Sequence, residues 1–351
     1  MRLKFILPLC LLCSPAYGEW TLSDQLTISG FGSLSASKSD QTTPIIQEKE
    51  FTDEWCYDCE TTLGLQLDWS MNENWRASLQ VVKQPRDHFS EPSLLAWAFV
   101  EYRWDDWSTK IGRQRIPLFL MSEYLFVSQA YPWLRPPIDV YESVLGISNY
   151  DGLSLDVQKW LTPDIPIRLA SFVAKSSRDD YVLYGEPLII DTDIAYGITT
   201  EIDFDENLVR AAIMHTVFEQ TYPASTIIPG GEQALTLFSL GTIYNWQQWQ
   251  FIAELLTSSR YHSNWYVSVN YQWNDLTPYI TYSQRRKSVE NETYSIGLKY
   301  SLLPNLSVYG EWLYIQSAKS VISGHFTKPQ LPPNELVGEV NLFSLGLSFT
   351  F

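Results

Sequence analysis

Along most of the chain, apolar and polar residues alternate with a period of two, in pieces of about ten residues separated by turn-forming residues. That period predicts β-strands with one apolar and one polar face. Over 339–351 (E-V-N-L-F-S-L-G-L-S-F-T-F), Asn341, Phe343, Leu345, Leu347, Phe349 and Phe351 share one face. Leu342, Ser344, Gly346, Ser348 and Thr350 share the other, with Leu342 the one apolar intruder. Alone, such a stretch fits an ordinary sandwich strand equally well. Recurrence decides between the two.

The pattern recurs. Residues 26–36 read as an opening strand. Leu63, Leu65, Leu67 and Trp69 then alternate with Gly64, Gln66, Asp68 and Ser70. A turn at 71–74 leads into Trp75, Ala77, Leu79 and Val81, set against Arg76, Ser78 and Gln80. Next, Ala96, Val100, Tyr102 and Trp104 form the apolar face opposite Glu101 and Arg103, and 105–106 turn the chain into 107–114. Further hairpins pair 150–160 with 167–174, 193–204 with 208–218, 234–246 with 249–256, 265–273 with 279–285, and 294–300 with 306–315. With the opening and closing strands the tally is sixteen, or fourteen or eighteen if one hairpin is misread.

The connections sort by parity. Short turns fall at one end, and the longer loops 37–60, 84–93, 116–148, 176–191, 219–232, 257–263, 286–292 and 316–338 at the other. A soluble sandwich has no reason for such sorting. In hydrocarbon every backbone amide needs an internal partner, so a spanning sheet must close. The expectation is an all-β, transmembrane antiparallel β-barrel of about 16 strands. It has one domain over 19–351, an apolar face outward and a polar face lining the lumen.

Composition agrees. No stretch reaches eighteen consecutive apolar residues, yet 14 Trp and 21 Tyr suit a barrel with two interfacial girdles. Residues 1–18 read as a cleaved signal peptide: Arg2 and Lys4, an apolar run over 5–13 broken by Pro8, then Ala16-Tyr17-Gly18. Export across the inner membrane follows. The net charge of −16 argues against nucleic acid as a partner. Past the leader only Cys56 and Cys59 remain, and in an oxidising compartment a disulfide is the expected state. A redox-active pair is disfavoured by Glu54, Asp58 and Glu60, which oppose the thiolate. His88, His215, His262 and His325 lack a nucleophile context, and no G-x-S-x-G or H-E-x-x-H occurs. No catalytic residue, metal or cofactor is expected.

The inward face collects Arg76, Glu101, Arg103, Asp156, Arg168, Glu201, Asp203, Arg210, Glu254 and Glu311. Most of these read as solvated lining. Arg113 and Arg115 lie two apart at the end of a strand, hence on one face, and Pro117 stops the pairing. The longest loop follows. Its stretch 117–138 carries Leu118, Phe119, Leu120, Leu125, Phe126, Val127, Tyr131, Trp133 and Leu134. Such a loop must bury its apolar side chains, each worth roughly 1.5–3 kcal/mol, and the barrel interior is the available place. Glu123, Asp139 and Glu142 are then expected to face Arg113, Arg115 and other wall arginines across a constriction. An outward loop packed on a neighbouring subunit is the alternative.

The leader, the strand pattern, the long third loop after G-R-Q-R and the terminal L-G-L-S-F-T-F together resemble the Gram-negative general (diffusion) porin superfamily. The resemblance implies a homotrimer in the outer membrane, among lipid and lipopolysaccharide, passing small hydrophilic solutes. It also implies that Phe351 is read by the barrel assembly machinery, that Arg113 and Arg115 match the basic wall, and that Glu123 matches the acidic loop side. The third loop departs from the family pattern at Tyr131-Pro132-Trp133 and Arg135-Pro136-Pro137, and the Cys56/Cys59 pair is not a general family feature. A substrate-specific sugar or anion channel is the second reading, with Tyr124, Tyr131 and Trp133 as candidate stacking surfaces. A barrel hydrolase or an adhesin is a more distant one.

Overall fold

The computed structural model describes residues 20–46, 49–83, 93–144, 149–174, 177–183, 186–223, 230–287, 289–322, 324–330 and 336–351, without the side chains of 93–94 and 177–182. The expected leader (1–18) and residues 84–92 of the expected loop 84–93 lie outside this description. The first half of the chain forms β1 (Trp20–Ser23), β2 (Leu26–Ser39), β3 (Thr62–Ser70), β4 (Trp75–Lys83), β5 (Ser93–Trp104), β6 (Trp107–Arg115), β7 (Asn149–Thr162), β8 (Ile165–Ala174) and β9 (Ser177–Leu183). The second half forms β10 (Glu186–Phe204), β11 (Asn207–Thr221), β12 (Gly231–Trp246), β13 (Trp249–Ser258), β14 (Ser263–Tyr271), β15 (Leu276–Arg285), β16 (Asn291–Leu303), β17 (Leu306–Ser317) and β18 (Glu339–Thr350).

Sixteen of these are staves of one closed antiparallel barrel. Strands β2 to β8 pair in sequence, β8 pairs with β10, and β10 to β18 pair in sequence. Closure is made by β18 against β2, from Leu342↔Ser39 to Thr350↔Phe31. Phe351 extends the seam: its N–H donates to Gly30 O at 2.9 Å and its carbonyl accepts from Gly30 N at 2.8 Å. The Phe351 ring lies where a Cβ on Gly30 would be, which is why this stave needs glycine there.

The other two strands are additions to the ring. β1 folds back on the start of β2. β9 continues the wall past the end of β8, because β10 pairs with β8 over 195–202 and with β9 over 186–192. The expected loop 176–191 is therefore mostly a hairpin. Leu188, buried against Leu183, Ile190 and Tyr222, supplies the apolar contact that its acidic composition conceals.

Alternation sorts the side chains. Ile111, Leu153, Ile198, Ile213, Ile296 and Leu345 are exposed on the outside, while Ser154, Arg210, Glu254, Ser268 and Ser344 are buried within. Such an outer surface suits hydrocarbon. At the turn end, the rings of Trp75 and Tyr102 and those of Trp249 and Tyr271 pack tilted, with centroids 4.7 Å apart in each pair. At the loop end, Trp265, Tyr282, Tyr294 and Tyr314 run across β14–β17 at centroid spacings of 5.3, 4.9 and 6.2 Å. These are two aromatic rows, one towards each end of the wall, as interfacial girdles require. Asp105, Asp205, Gln247 and Asn274 hold left-handed φ in the short turns, which Asp and Asn tolerate best.

One parity expectation fails. A bulge between Gln80 and Val81 shifts the β4–β5 register, so Gln80 faces Trp97 while Val81 faces Leu95. Ala96, expected outside with Val100, Tyr102 and Trp104, is fully buried in an inner cluster with Phe31 and Val82. Leu342, the intruder, is also explained: it is buried beneath Ile45, Ile46, Phe51 and Phe326 from the loops on either side.

Candidate functional site: the lumen and the third loop

Beyond β6 the chain loses its ladder at Pro117 and enters the barrel. Leu118, Leu120, Met121, Trp133 and Val140 are at most 2% exposed, packed with Met214, Leu237, Ile252 and Tyr266 of the wall. Polar anchors fix the path. Trp133 Nε1 donates to Ser268 Oγ at 2.8 Å, Leu120 N to Glu254 at 2.8 Å, and Lys299 Nζ to the carbonyls of Gln129 and Tyr131. Ser239 donates to the Leu118 carbonyl, and Tyr309 to that of Ser128 at 3.0 Å. The third loop thus fills the side of the lumen lined by β12–β18.

Two buried charge clusters hold it. Arg135 donates to both oxygens of Glu60 at 2.7 Å. Its Nη1 lies 2.9 Å from Glu311 Oε1, an ion-pair contact outside hydrogen-bond geometry. Burial pushes the Glu60 carboxyl up, but Arg135 outweighs it and leaves the group below its ordinary range. Arg135 itself is raised despite its burial, by Glu60 and Glu311. Asp139, at the start of the short helix α1 (Ile138–Tyr141), accepts from Ser283 at 2.6 Å and from Asn291, with His325 Nε2 at 2.7 Å. Burial again opposes its charge, and these partners hold it below the usual carboxylate range. Cys56 and Cys59 are joined, next to Glu60.

The lumen that remains lies along β3–β11. It holds a cavity of about 270 Å³. Six cations line it, Arg76, Arg103, Lys110, Arg115, Arg168 and Arg210, against four carboxylates, Glu101, Glu123, Asp156 and Glu201. Arg168 bonds Asp156 at 2.7 Å and approaches Glu123 of the loop at 3.7 Å. Arg210 lies 3.8 Å from Glu201, and Arg103 2.8 Å from Glu101. A second cavity of about 520 Å³ shares Glu101, Arg103, Lys110, Asp156 and Arg168 and continues to Asp105, Asp106 and Trp160 at the turn end. A charged route therefore runs down one wall.

Of the expected constriction, Arg115 and Glu123 line this cavity and three residues do not. Arg113 shares parity with Trp107 and exposed Ile111, on the outer face, where it pairs with Asp151 at 2.7 and 3.0 Å. Asp139 is 0% exposed and acts as a strut of the loop. Glu142 pairs with Lys49 of the first loop at 2.6 Å. Arg76, Glu101, Arg103, Arg168 and Arg210 all line the cavity. Sequence reading missed Arg135 and Glu60, and the inward aromatics Trp97, Phe99, Tyr150 and Phe172. The alternation that turns Glu101 and Arg103 inward carries Trp97 and Phe99 with them, and the alternation within 150–174 would have revealed the other two. His262 and His325 are spent on loop anchoring, and His215 lies 2.8 Å from Thr236 on the exposed face.

No protein-family model matches the sequence, and no curated protein matches it. Solved structures do. An anion-selective porin from Comamonas acidovorans superposes with a TM-score of 0.62 at 9% identity, covering 93% of this chain and 99% of that one. OmpF of Salmonella typhi, in complex with daunomycin, gives 0.62 at 13%, covering 95% and 100%. Outer-membrane OmpT of Vibrio cholerae gives 0.56 at 11%, covering 94% and 99%. Over nearly its whole length, the chain has the fold of the sixteen-stranded porins.

Proposed function

We propose that this protein is an outer-membrane channel for passive diffusion of small hydrophilic solutes and ions. The observation that carries the reading is a barrel apolar outside whose interior keeps a charged cavity continuous with the turn end. Only a protein set in lipid and open to water inside has use for both surfaces. Residues 1–18 direct export and are removed, and Phe351 serves recognition by the assembly machinery. The chain works as a homotrimer among outer-membrane lipid and lipopolysaccharide, with its outward rows against lipid or sister subunits. Glu123 and Arg168 form the narrow place, where opposed charges select among passing ions. Swelling of proteoliposomes in small uncharged and charged solutes tests this; vesicles that stay impermeable to all of them contradict it.

A substrate-specific channel is the second reading. The third loop fills one side of the lumen, and aromatic rings line what is left, both more than a plain diffusion pore needs.

A further inference from the structure

The five other cations on the cavity each face a carboxylate: Asp68, Glu101, Asp156, Glu123 or Glu201. Arg115 does not. It is 7% exposed, its guanidinium lies 4.1 Å from the centre of the Phe126 ring, and its Nε and Nη2 have no hydrogen-bond partner among the described residues. A buried guanidinium with unused donors is costly, and an anion at that place would relieve it. The same cavity is lined by Trp97, Phe99, Tyr150 and Phe172, the last two with ring centres 4.8 Å apart. Inward positions of a water-filled barrel are ordinarily polar, so four rings beside one unpaired cation call for an occupant.

We propose that this cavity binds small organic anions with a flat apolar body, of the aryl-carboxylate class. The carboxylate meets the fork of Arg115, and the ring lies among the aromatic side chains. An inorganic anion would pair with Arg115 but leave the rings wet. A neutral sugar would cover the rings but leave Arg115 unpaired. The volume of about 270 Å³ stands at the small end of ligand sites, which begin at roughly 300 Å³. This deepens the channel reading by naming its solute class, although binding itself does not require conduction.

The test is calorimetric titration of the full chain in detergent with benzoate, acetate and benzyl alcohol, alongside single-channel recording. Benzoate is expected to bind at least tenfold more tightly than either of the others. Arg115→Gln should remove that advantage over benzyl alcohol, and Trp97→Ala with Phe99→Ala should remove it over acetate. Arg115→Lys, which keeps the charge without the planar fork, should fall between wild type and Arg115→Gln. Arg113→Gln, on the outer face, should change nothing. Equal binding of benzoate and acetate by the wild type, or an Arg115→Lys protein that binds as wild type does, overturns the proposal. A protein that conducts without preferring benzoate loses this site and keeps the channel reading; one that binds benzoate without conducting does the reverse.

Discussion

Arg135 of the third loop and Glu60 of the first meet through two parallel hydrogen bonds of 2.7 Å, deep in the barrel, with Glu311 of the wall 2.9 Å away on the other side. The filled side of the lumen depends on this contact. It ties two loops to one stave. Removing the guanidinium leaves Glu311 buried without a direct ion-pair partner and Glu60 with only Lys49, 4.0 Å away, which costs about 3–5 kcal/mol. Arg135→Met should lower stability by that order in denaturant titration and raise single-channel conductance as the loop loosens.

Acid should act on the same clamp. Glu60 and Asp139 are both held below their ordinary values of 4.5 and 3.8. A carboxyl lowered in the folded state contributes stability that is complete above the unfolded value and lost as pH falls through the folded one. Conductance should therefore be steady down to about pH 4.5 and change only below it. Stability that does not fall between about pH 4.5 and pH 3 would mean that these two groups do not hold the loop.

Ion selectivity should follow the cavity lining. Arg168→Glu and Arg115→Glu should each shift the reversal potential in a salt gradient toward cations, because each places a negative charge in the passage. Arg113→Glu should leave it unchanged, since Arg113 pairs with Asp151 on the outer face.

The seam predicts an assembly phenotype. Gly30→Val puts a branched side chain where the Phe351 ring lies, so the folded fraction should fall on unheated gel electrophoresis. Deleting Phe351 should reduce insertion more than it reduces the conductance of molecules that do insert.

The Cys56–Cys59 bridge closes a very short loop, worth about 2 kcal/mol on chain-entropy grounds. The unreduced protein should be two hydrogen masses lighter than the reduced one. Cys56→Ser with Cys59→Ser should lower the melting temperature while leaving the barrel intact.

The barrel was legible because membrane staves alternate along their length, and alternation survives in sequence. What alternation misses is anything that breaks the period. The bulge at Gln80/Val81 reverses the parity of Ala96, which turns inward although it precedes Trp97 and Phe99 on the inward row of Glu101 and Arg103. Arg113 and Arg115, two apart, look equivalent, yet only Arg115 turns into the lumen beneath Phe126. The apolar third loop was rightly expected to need burial, but its composition does not say which acids become struts. Asp139 and Glu142 resemble Glu123 in sequence and differ only in what surrounds them. The β9–β10 hairpin was hidden because its acidic residues read as loop.

The central claim is that solutes pass along the β3–β11 side while the third loop fills the other. The most direct test is cysteine accessibility during single-channel recording. Ala170 lines the cavity, and Ser268 lies fully buried under Trp133. A charged methanethiosulfonate reagent should reduce the current of Ala170→Cys channels within seconds to minutes and leave Ser268→Cys channels untouched. Modification of Ser268→Cys with Ala170→Cys unaffected, or the absence of any step conductance, would contradict it.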